Sequence, residues 1–253
     1  MSDKPLGERN YEQFADRYAK YAKTKPHNAL YERPATLSLL PDVAGRRVLD
    51  AGCGPGHYAE ALLERRAEVV AVDVTPAMVE LTRQRVGSRA TVHVADLERG
   101  LHFAEDASFD VVLSPLTFDY LDDWYPVFVE FFRVLRPGGH LVYSHGHPMS
   151  DYKLVKTKHD PDSNYFARER FSSRWGGFGN PKPLVEGFRR PLGDMLNPLA
   201  RAGFMLEELL EPQPSEAIRE VNPRLYEVLS REPCFLCVRA RKPDLSPPSR
   251  SAP

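Results

Sequence analysis

Three acids and three glycines are the residues of this sequence whose types and spacing most plainly suit chemistry. Gly52, Gly54 and Gly56 lie in Asp50-Ala-Gly-Cys-Gly-Pro-Gly56, after the apolar Val48-Leu49 and before Ala59, Leu62 and Leu63 at helical spacing. A strand, a loop without side-chain bulk and a helix, in that order, bring backbone amides and a helix N-terminus close to a ligand. Asp73 closes a second apolar run, Glu68-Val-Val-Ala-Val-Asp73, 23 positions after Asp50. A carboxylate at that place accepts hydrogen bonds from the two hydroxyls of a ribose. Asp96 follows a third run, Ala90-Thr-Val-His-Val94. Acids at successive strand ends suit a cationic ligand rich in hydroxyls and amines, and suit a pyrophosphate less.

The glycine spacing separates two readings. A dinucleotide site has G-x-G-x-x-G, whereas this loop runs G-x-G-x-G and puts His57 where the last glycine would stand. The run D-x-G-x-G-x-G resembles the first motif of the class I S-adenosylmethionine-dependent methyltransferases, of the small-molecule, type 11 kind. Further pieces follow in family order over residues 46 to 145, including Phe132-Arg-Val-Leu-Arg-Pro-Gly-Gly-His-Leu-Val142 entering a fifth strand. The resemblance implies S-adenosyl-L-methionine as cofactor. It implies Gly52, Cys53, Gly54 and Gly56 around the methionine end, with Asp50 orienting the loop and the amino group. It further implies Asp73 and Val74 at the ribose, and Met78, Asp96 and Leu97 at the adenine. Ser114 would lie beside the methyl with Thr117, and Tyr120 on the substrate side.

The segment Ser114-Pro-Leu-Thr117 after the fourth strand lacks the Asn/Asp-Pro-Pro-Tyr/Phe of enzymes that methylate base amino groups. It also lacks the Pro-Cys of cytosine C5 enzymes. A formal charge of -1, from Lys+Arg 34 against Asp+Glu 35, offers no global basic surface. Nucleic acid is therefore not an expected partner. No apolar run approaches a membrane span, and Met1 to Asn10 has no signal core, so no membrane partner and a cytoplasmic location are expected. Cys234 and Cys237 form a single C-x-x-C in a strand-like run, where residues three apart face opposite ways. No metal is expected there. His145 and His147 could share a face as metal ligands, but no third ligand is evident. His145 reads as a loop residue, and His147, with a pKa near neutrality, as a general base.

The elements that must position these residues follow from periodicity. Tyr11, Phe14, Tyr18 and Tyr21 mark one amphipathic helix over residues 8–24, and a second helix spans 27–40 with an interruption at Pro34. By the family resemblance this pair, 8–40, is a lid, with Tyr18 and Tyr21 lining the substrate pocket. Leu121, Trp124, Phe128, Phe131 and Leu135 mark a strong helix ended by Arg136-Pro-Gly-Gly139. Residues 150–190, rich in aromatics, read as a cap inserted after the fifth strand, with a hairpin and with Trp175 closing the cavity. Arg168, Arg170, Arg174, Arg189 and Arg190 form either a solvated face or a site for an acid group on the acceptor.

The expected fold is one α/β domain over residues 1–242. Its core is a Rossmann-like, doubly wound, seven-stranded, mostly parallel sheet, with the last strand antiparallel. A disordered tail, 243–253, follows. The expected activity is in-line methyl transfer to a small-molecule acceptor, which could be anionic, at oxygen or nitrogen. Two alternatives stand beside it: an NAD(P)-dependent oxidoreductase, disfavoured by His57 and Asp96, and a protein that binds the cofactor without methylating. The acceptor and the oligomeric state are not legible in the sequence.

Overall fold

The computed structural model describes residues 4–244. Seven strands build the main sheet: β1 (Arg47–Ala51), β2 (Glu68–Asp73), β3 (Ala90–Val94), β4 (Phe109–Pro115), β5 (Leu135–Gly146), β8 (Met205–Leu210) and β9 (Phe235–Arg241). β6 (Glu169–Arg174) and β7 (Leu184–Arg189) pair as a separate antiparallel hairpin. The main sheet runs β3-β2-β1-β4-β5-β9-β8. The first five strands are parallel, and β9 is antiparallel to both β5 and β8. Strand order reverses between β1 and β4, so a crevice opens at their carboxyl ends.

Alternation along the strands feeds two apolar layers. Leu49, Ala51, Val70 and Val72 face one layer, with α6 (Trp124–Val134) and α8 (Leu192–Arg201) packed on it. Val48, Val69 and Ala71 face the other, against α3 (Arg33–Ser38), α4 (His57–Glu64) and α5 (Pro76–Val86). The α6 stripe sits as its spacing predicts, with Trp124, Val127, Phe128, Phe131 and Val134 buried, and the Asp123 carboxylate caps it by accepting the Tyr125 amide at 3.0 Å.

The N-terminal region departs from the expected pair of helices. The first divides into α1 (Leu6–Tyr11) and α2 (Ala15–Ala22). The chain leaves helical geometry at Phe14, with φ −151° and ψ 25°. The second begins as a π-helical turn, His27–Glu32, and continues as α3. This turn buries Glu32, whose carboxylate accepts hydroxyl hydrogen bonds from Tyr58 and Thr36 at 2.8 Å and from Ser144 at 2.5 Å. Burial raises its pKa, and three donors hold the shift in check. The network ties the N-terminal region to β5 and α4.

After β5 the chain forms α7 (Pro148–Lys158), a helix not foreseen in the cap insertion, and then the β6–β7 hairpin. Towards the C-terminus α9 (Glu216–Val221) and α10 (Pro223–Leu229) are divided at Asn222, because Pro223 carries no amide to continue the ladder. Beyond Asp244 the tail lies outside the described residues.

Candidate active site

A cavity lies over the carboxyl ends of β1, β2 and β4. Gly52, Gly54, Asp73, Val74, Met78, Asp96, Leu97 and Thr117 line it, and α1 closes it from above through Leu6 and Gly7. The loop from Gly52 to Gly56 does not offer it a nest of amides. The Gly52 and Cys53 amides donate to the Val72 carbonyl at 2.8 and 2.9 Å, Gly54 to the Asp73 carboxylate at 2.9 Å, and Gly56 to the Cys53 carbonyl at 3.0 Å. Among the described residues none donates to the Gly52 carbonyl. The loop therefore presents an open acceptor, which fits an ammonium and fits a phosphate poorly. This corrects the expectation that loop amides meet the negative end of a ligand.

Gly52 has φ +81°, and a Cβ there would overlap the Thr117 side chain. That hydroxyl donates to the Ala51 carbonyl at 3.2 Å, and Ser114 Oγ donates to the same carbonyl at 2.9 Å. The two bonds lash the end of β4 to the end of β1. Thr117 reaches the cavity, whereas Ser114 is fully buried and does not line it. Asp73 is held by its neighbours: one oxygen accepts the Gly54 amide and the other the Thr75 amide at 2.8 Å. Each oxygen keeps a lone pair for a ligand hydroxyl. Burial raises the Asp73 pKa, opposed by those amides. Asp96 caps the short turn Leu97–Arg99 by accepting the Glu98 amide at 3.0 Å.

Other sequence-predicted residues stand behind the cavity wall. Asp50 is fully buried and lines no cavity. Alternation along β1 puts it on the face opposite Leu49 and Ala51. Burial, and the nearby Asp73 charge, push its pKa up to about 7. Among the described residues neither of its carboxylate oxygens has a hydrogen-bond partner. The Cys53 thiol is likewise turned into the core, within 3.6 Å of the Thr82 hydroxyl. Gly56 caps α4 with φ +81°, its Cβ position closed off by Thr82.

His147 does not meet the geometry of a base. Its Nδ1 accepts the Met149 amide at 3.2 Å and caps α7, and its Nε2 lies 2.8 Å from Glu211. Burial lowers its pKa although Glu211 opposes the shift. Both ring nitrogens are occupied, and the side chain lines neither this cavity nor its neighbour. His145 is not a loop residue: it is fully buried beside Trp124 and Tyr143, and burial drives its pKa down to about 4.

A second cavity, of about 530 Å³, adjoins the first beneath the cap. Tyr11, Tyr18, Leu116 and Tyr120 line both, and so form the partition between them. The Tyr11 and Tyr120 hydroxyls are 2.6 Å apart. Burial raises the pKa of both well above the phenol range, and lifts Tyr18 to about 12. These tyrosines therefore remain neutral at neutral pH. Trp175 lines the second cavity, as expected of a cap residue. Tyr21, three residues further along α2, does not; it packs near Gly179 of the cap.

Sequence reasoning passed over Tyr11, Leu116 and Asp119. Tyr11 was visible in the aromatic stripe. Leu116 adopts φ +52°, a conformation its residue type gives no hint of. Asp119, whose pKa rises to about 6 through burial, lines the second cavity and accepts the Gly146 amide at 3.3 Å. The arginine cluster is already employed within the fold. Arg189 is buried against Glu169 at 2.8 Å, and Arg190 donates to the Leu121 carbonyl at 2.7 Å while lying over Trp124. Arg168 and Arg170 pair with Asp122 and Glu186. Arg174 alone of the five reaches the second cavity.

The glycine loop, the strand-end acids Asp73 and Asp96 and the reversed strand order together define a Rossmann-like site for an adenosyl ligand. Residues 49–143 match the methyltransferase domain family. Over 130 residues the chain is 35% identical to a malonyl-[acyl-carrier protein] O-methyltransferase of Salmonella typhimurium, spanning 51% of this chain and 49% of that one. Over 232 residues it is 27% identical to an uncharacterized protein of Haemophilus influenzae, spanning 85% and 88%. The crystal structure of an S-adenosylmethionine-dependent methyltransferase from Mesorhizobium loti superposes with a TM-score of 0.66 at 28% identity, covering 87% of this chain and 99% of that one. Residues 49–143 thus match a methyltransferase domain, on a fold shared with an S-adenosylmethionine-dependent methyltransferase, and S-adenosyl-L-methionine is its cofactor. The residues in place fit that group: an open carbonyl at Gly52 for the ammonium, Asp73 for hydroxyls, and Met78 and Leu97 as apolar walls beside Asp96. Among the described residues no helix is long and apolar enough to cross a membrane.

Proposed function

We propose that the protein transfers a methyl group to an oxygen of a small-molecule acceptor held in the second cavity. Held by Gly52, Asp73 and Asp96, the cofactor would supply a methyl group activated by its sulfonium for in-line displacement by an acceptor oxygen. What the chain contributes is placement. The carrying observation is that Tyr11, Tyr18, Leu116 and Tyr120 border both cavities, so a donor on one side and an acceptor on the other meet across a collar of known composition. Holding two reactants in line removes several kcal/mol from a bimolecular barrier. Tyrosine rings also present electron-rich faces towards a cationic sulfonium.

In this reading Gly52, Gly54, Asp73, Val74, Met78, Asp96 and Leu97 hold the cofactor. Thr117, Tyr11, Tyr18 and Tyr120 surround the transfer path, and Trp175 excludes water from the cap side. The Salmonella relative, named for O-methylation, favours oxygen over nitrogen. Methyl-labelled cofactor incubated with the protein and a pool of metabolites tests this. Label should appear in a small molecule as an ether or ester. Label confined to amines, or to macromolecules, would contradict it.

A further inference from the structure

The second cavity is electrically lopsided. Lys25, His27, Lys158, His159 and Arg174 line it, against a single acid, Asp119. Lys158, His159 and Arg174 are exposed, so these three stand at the solvent mouth, with Lys25 and His27 half-buried behind them. They are not consumed by partners. Lys25 donates one hydrogen bond, to the Gly176 carbonyl at 3.2 Å, and lies over Phe178. Arg174 donates one, to the Lys182 carbonyl at 3.3 Å. Among the described residues Lys158 and His159 have no side-chain partner. Asp119 stands at the opposite end, next to the partition residue Tyr120. Between the ends the walls are flat and aromatic: Tyr11, Tyr18, Trp175, Phe178 and Phe235.

Resting on the acceptor reading above, we infer that the second cavity takes a planar hydroxy acid, its hydroxyl turned inward to Asp119 and its acid group held at the mouth by Lys25, Lys158 and Arg174. Asp119 is placed to accept the hydroxyl proton. Both its oxygens meet only the Gly146 amide, each at 3.3 Å, so neither is saturated. The charged groups around it are Asp151 of α7, which shares the space under the cap, and Arg190 after β7. Burial raises both carboxyl groups, Asp119 to about 6, and the repulsion between them adds to the rise of Asp151. A carboxylate of that strength suits a phenol- or enol-type hydroxyl, whose proton is acidic, better than an aliphatic alcohol. His147, with both nitrogens engaged, and the buried tyrosines do not compete for this role.

Four probes of one shape test the inference: 4-hydroxybenzoate, its neutral amide, tyramine, and benzoate, which lacks the hydroxyl. Each is titrated by calorimetry into the protein loaded with S-adenosylhomocysteine, whose own binding is measured first. The expected order is 4-hydroxybenzoate at least about tenfold tighter than the amide, with tyramine weakest and the preference shrinking in high salt. Benzoate should bind several-fold more weakly than 4-hydroxybenzoate, and Asp119→Asn should remove that difference. The double variant Lys158→Glu, Arg174→Glu should invert the order in favour of tyramine while leaving S-adenosylhomocysteine affinity unchanged. Equal binding of all four probes, no binding of 4-hydroxybenzoate at millimolar concentration, or an order untouched by charge reversal would overturn the inference. Failure of S-adenosylhomocysteine to bind would strike the cofactor site itself, and is read separately in the first titration.

Discussion

The two halves of the site are built by different means. The cofactor half comes from strand ends and the turns that follow them, within residues 52–117, and leans on backbone: the Gly52 carbonyl, the Gly54 and Thr75 amides, the φ of Gly52. The acceptor half gathers side chains from Tyr11 to Phe235, supplied by α1, α2, α7 and the β6–β7 hairpin. Backbone geometry at a topological switch point tolerates little change of residue type. A wall of side chains on inserted segments can vary without disturbing the sheet. Cofactor affinity should therefore depend sharply on the first half and hardly on the second, and substitutions can be ranked by how hard they press on that contrast.

The largest effect is expected at Gly52. Gly52→Ala forces a side chain into φ +81° and into the space of Thr117. Strain of about 1–2 kcal/mol and overpacking of a similar size should weaken S-adenosylhomocysteine binding about 100-fold. Adding Thr117→Gly should recover the overpacking part only, which calorimetry on the double variant reads directly.

Asp73→Ala comes next. It removes a carboxylate that both orders the loop and faces ligand hydroxyls. Charge-assisted hydrogen bonds of about 1.5–3 kcal/mol put the loss of affinity at about 10- to 100-fold.

Asp50 tests the cofactor half through stability. Its folded pKa, about 7, lies above that of an unfolded aspartate because burial disfavours the charge. The stability it lends is then fully present below the unfolded value and is lost as pH rises through about 7. Asp50→Asn should melt above wild type by a margin that grows from pH 5 to pH 8. A gap that stayed constant with pH would show that burial does not set this titration.

His147→Ala should lower stability by about 1 kcal/mol, the worth of a helix cap, without changing cofactor affinity. Smallest of all is Trp175→Ala, expected to leave S-adenosylhomocysteine affinity within about twofold, since separate sites couple weakly. A large loss there would join the two halves and break the comparison.

The same contrast explains what the sequence made legible. Asp73, Asp96, Met78 and Leu97 stand at short offsets from strands whose apolar runs are unmistakable, and the structure brings them to one cavity. Asp50, Cys53 and Ser114 sit in the same motifs yet face the core, because a motif marks a position without saying which way a strand turns its side chain. The acceptor half was readable only as aromatic composition. Tyr18 and Tyr21 lie on one helical stripe of α2, yet only Tyr18 reaches the partition, while Tyr21 packs near Gly179 of the cap. His147 looked like a base from its place after β5, whereas a helix begins at Pro148 and claims its ring as a cap. Asp119 follows the fourth strand in a segment whose position was legible, but its type and spacing gave it no role of its own.

The account rests most heavily on an acceptor-presenting glycine loop flanked by strand-end acids, which selects an adenosyl sulfonium over a dinucleotide. Parallel calorimetric titrations of the wild-type protein with S-adenosylmethionine and with NADH test this directly. One-to-one binding of S-adenosylmethionine, weakened by Asp73→Ala and absent for NADH, is the predicted result. Binding of NADH in its place, or S-adenosylmethionine affinity indifferent to Asp73, would contradict it.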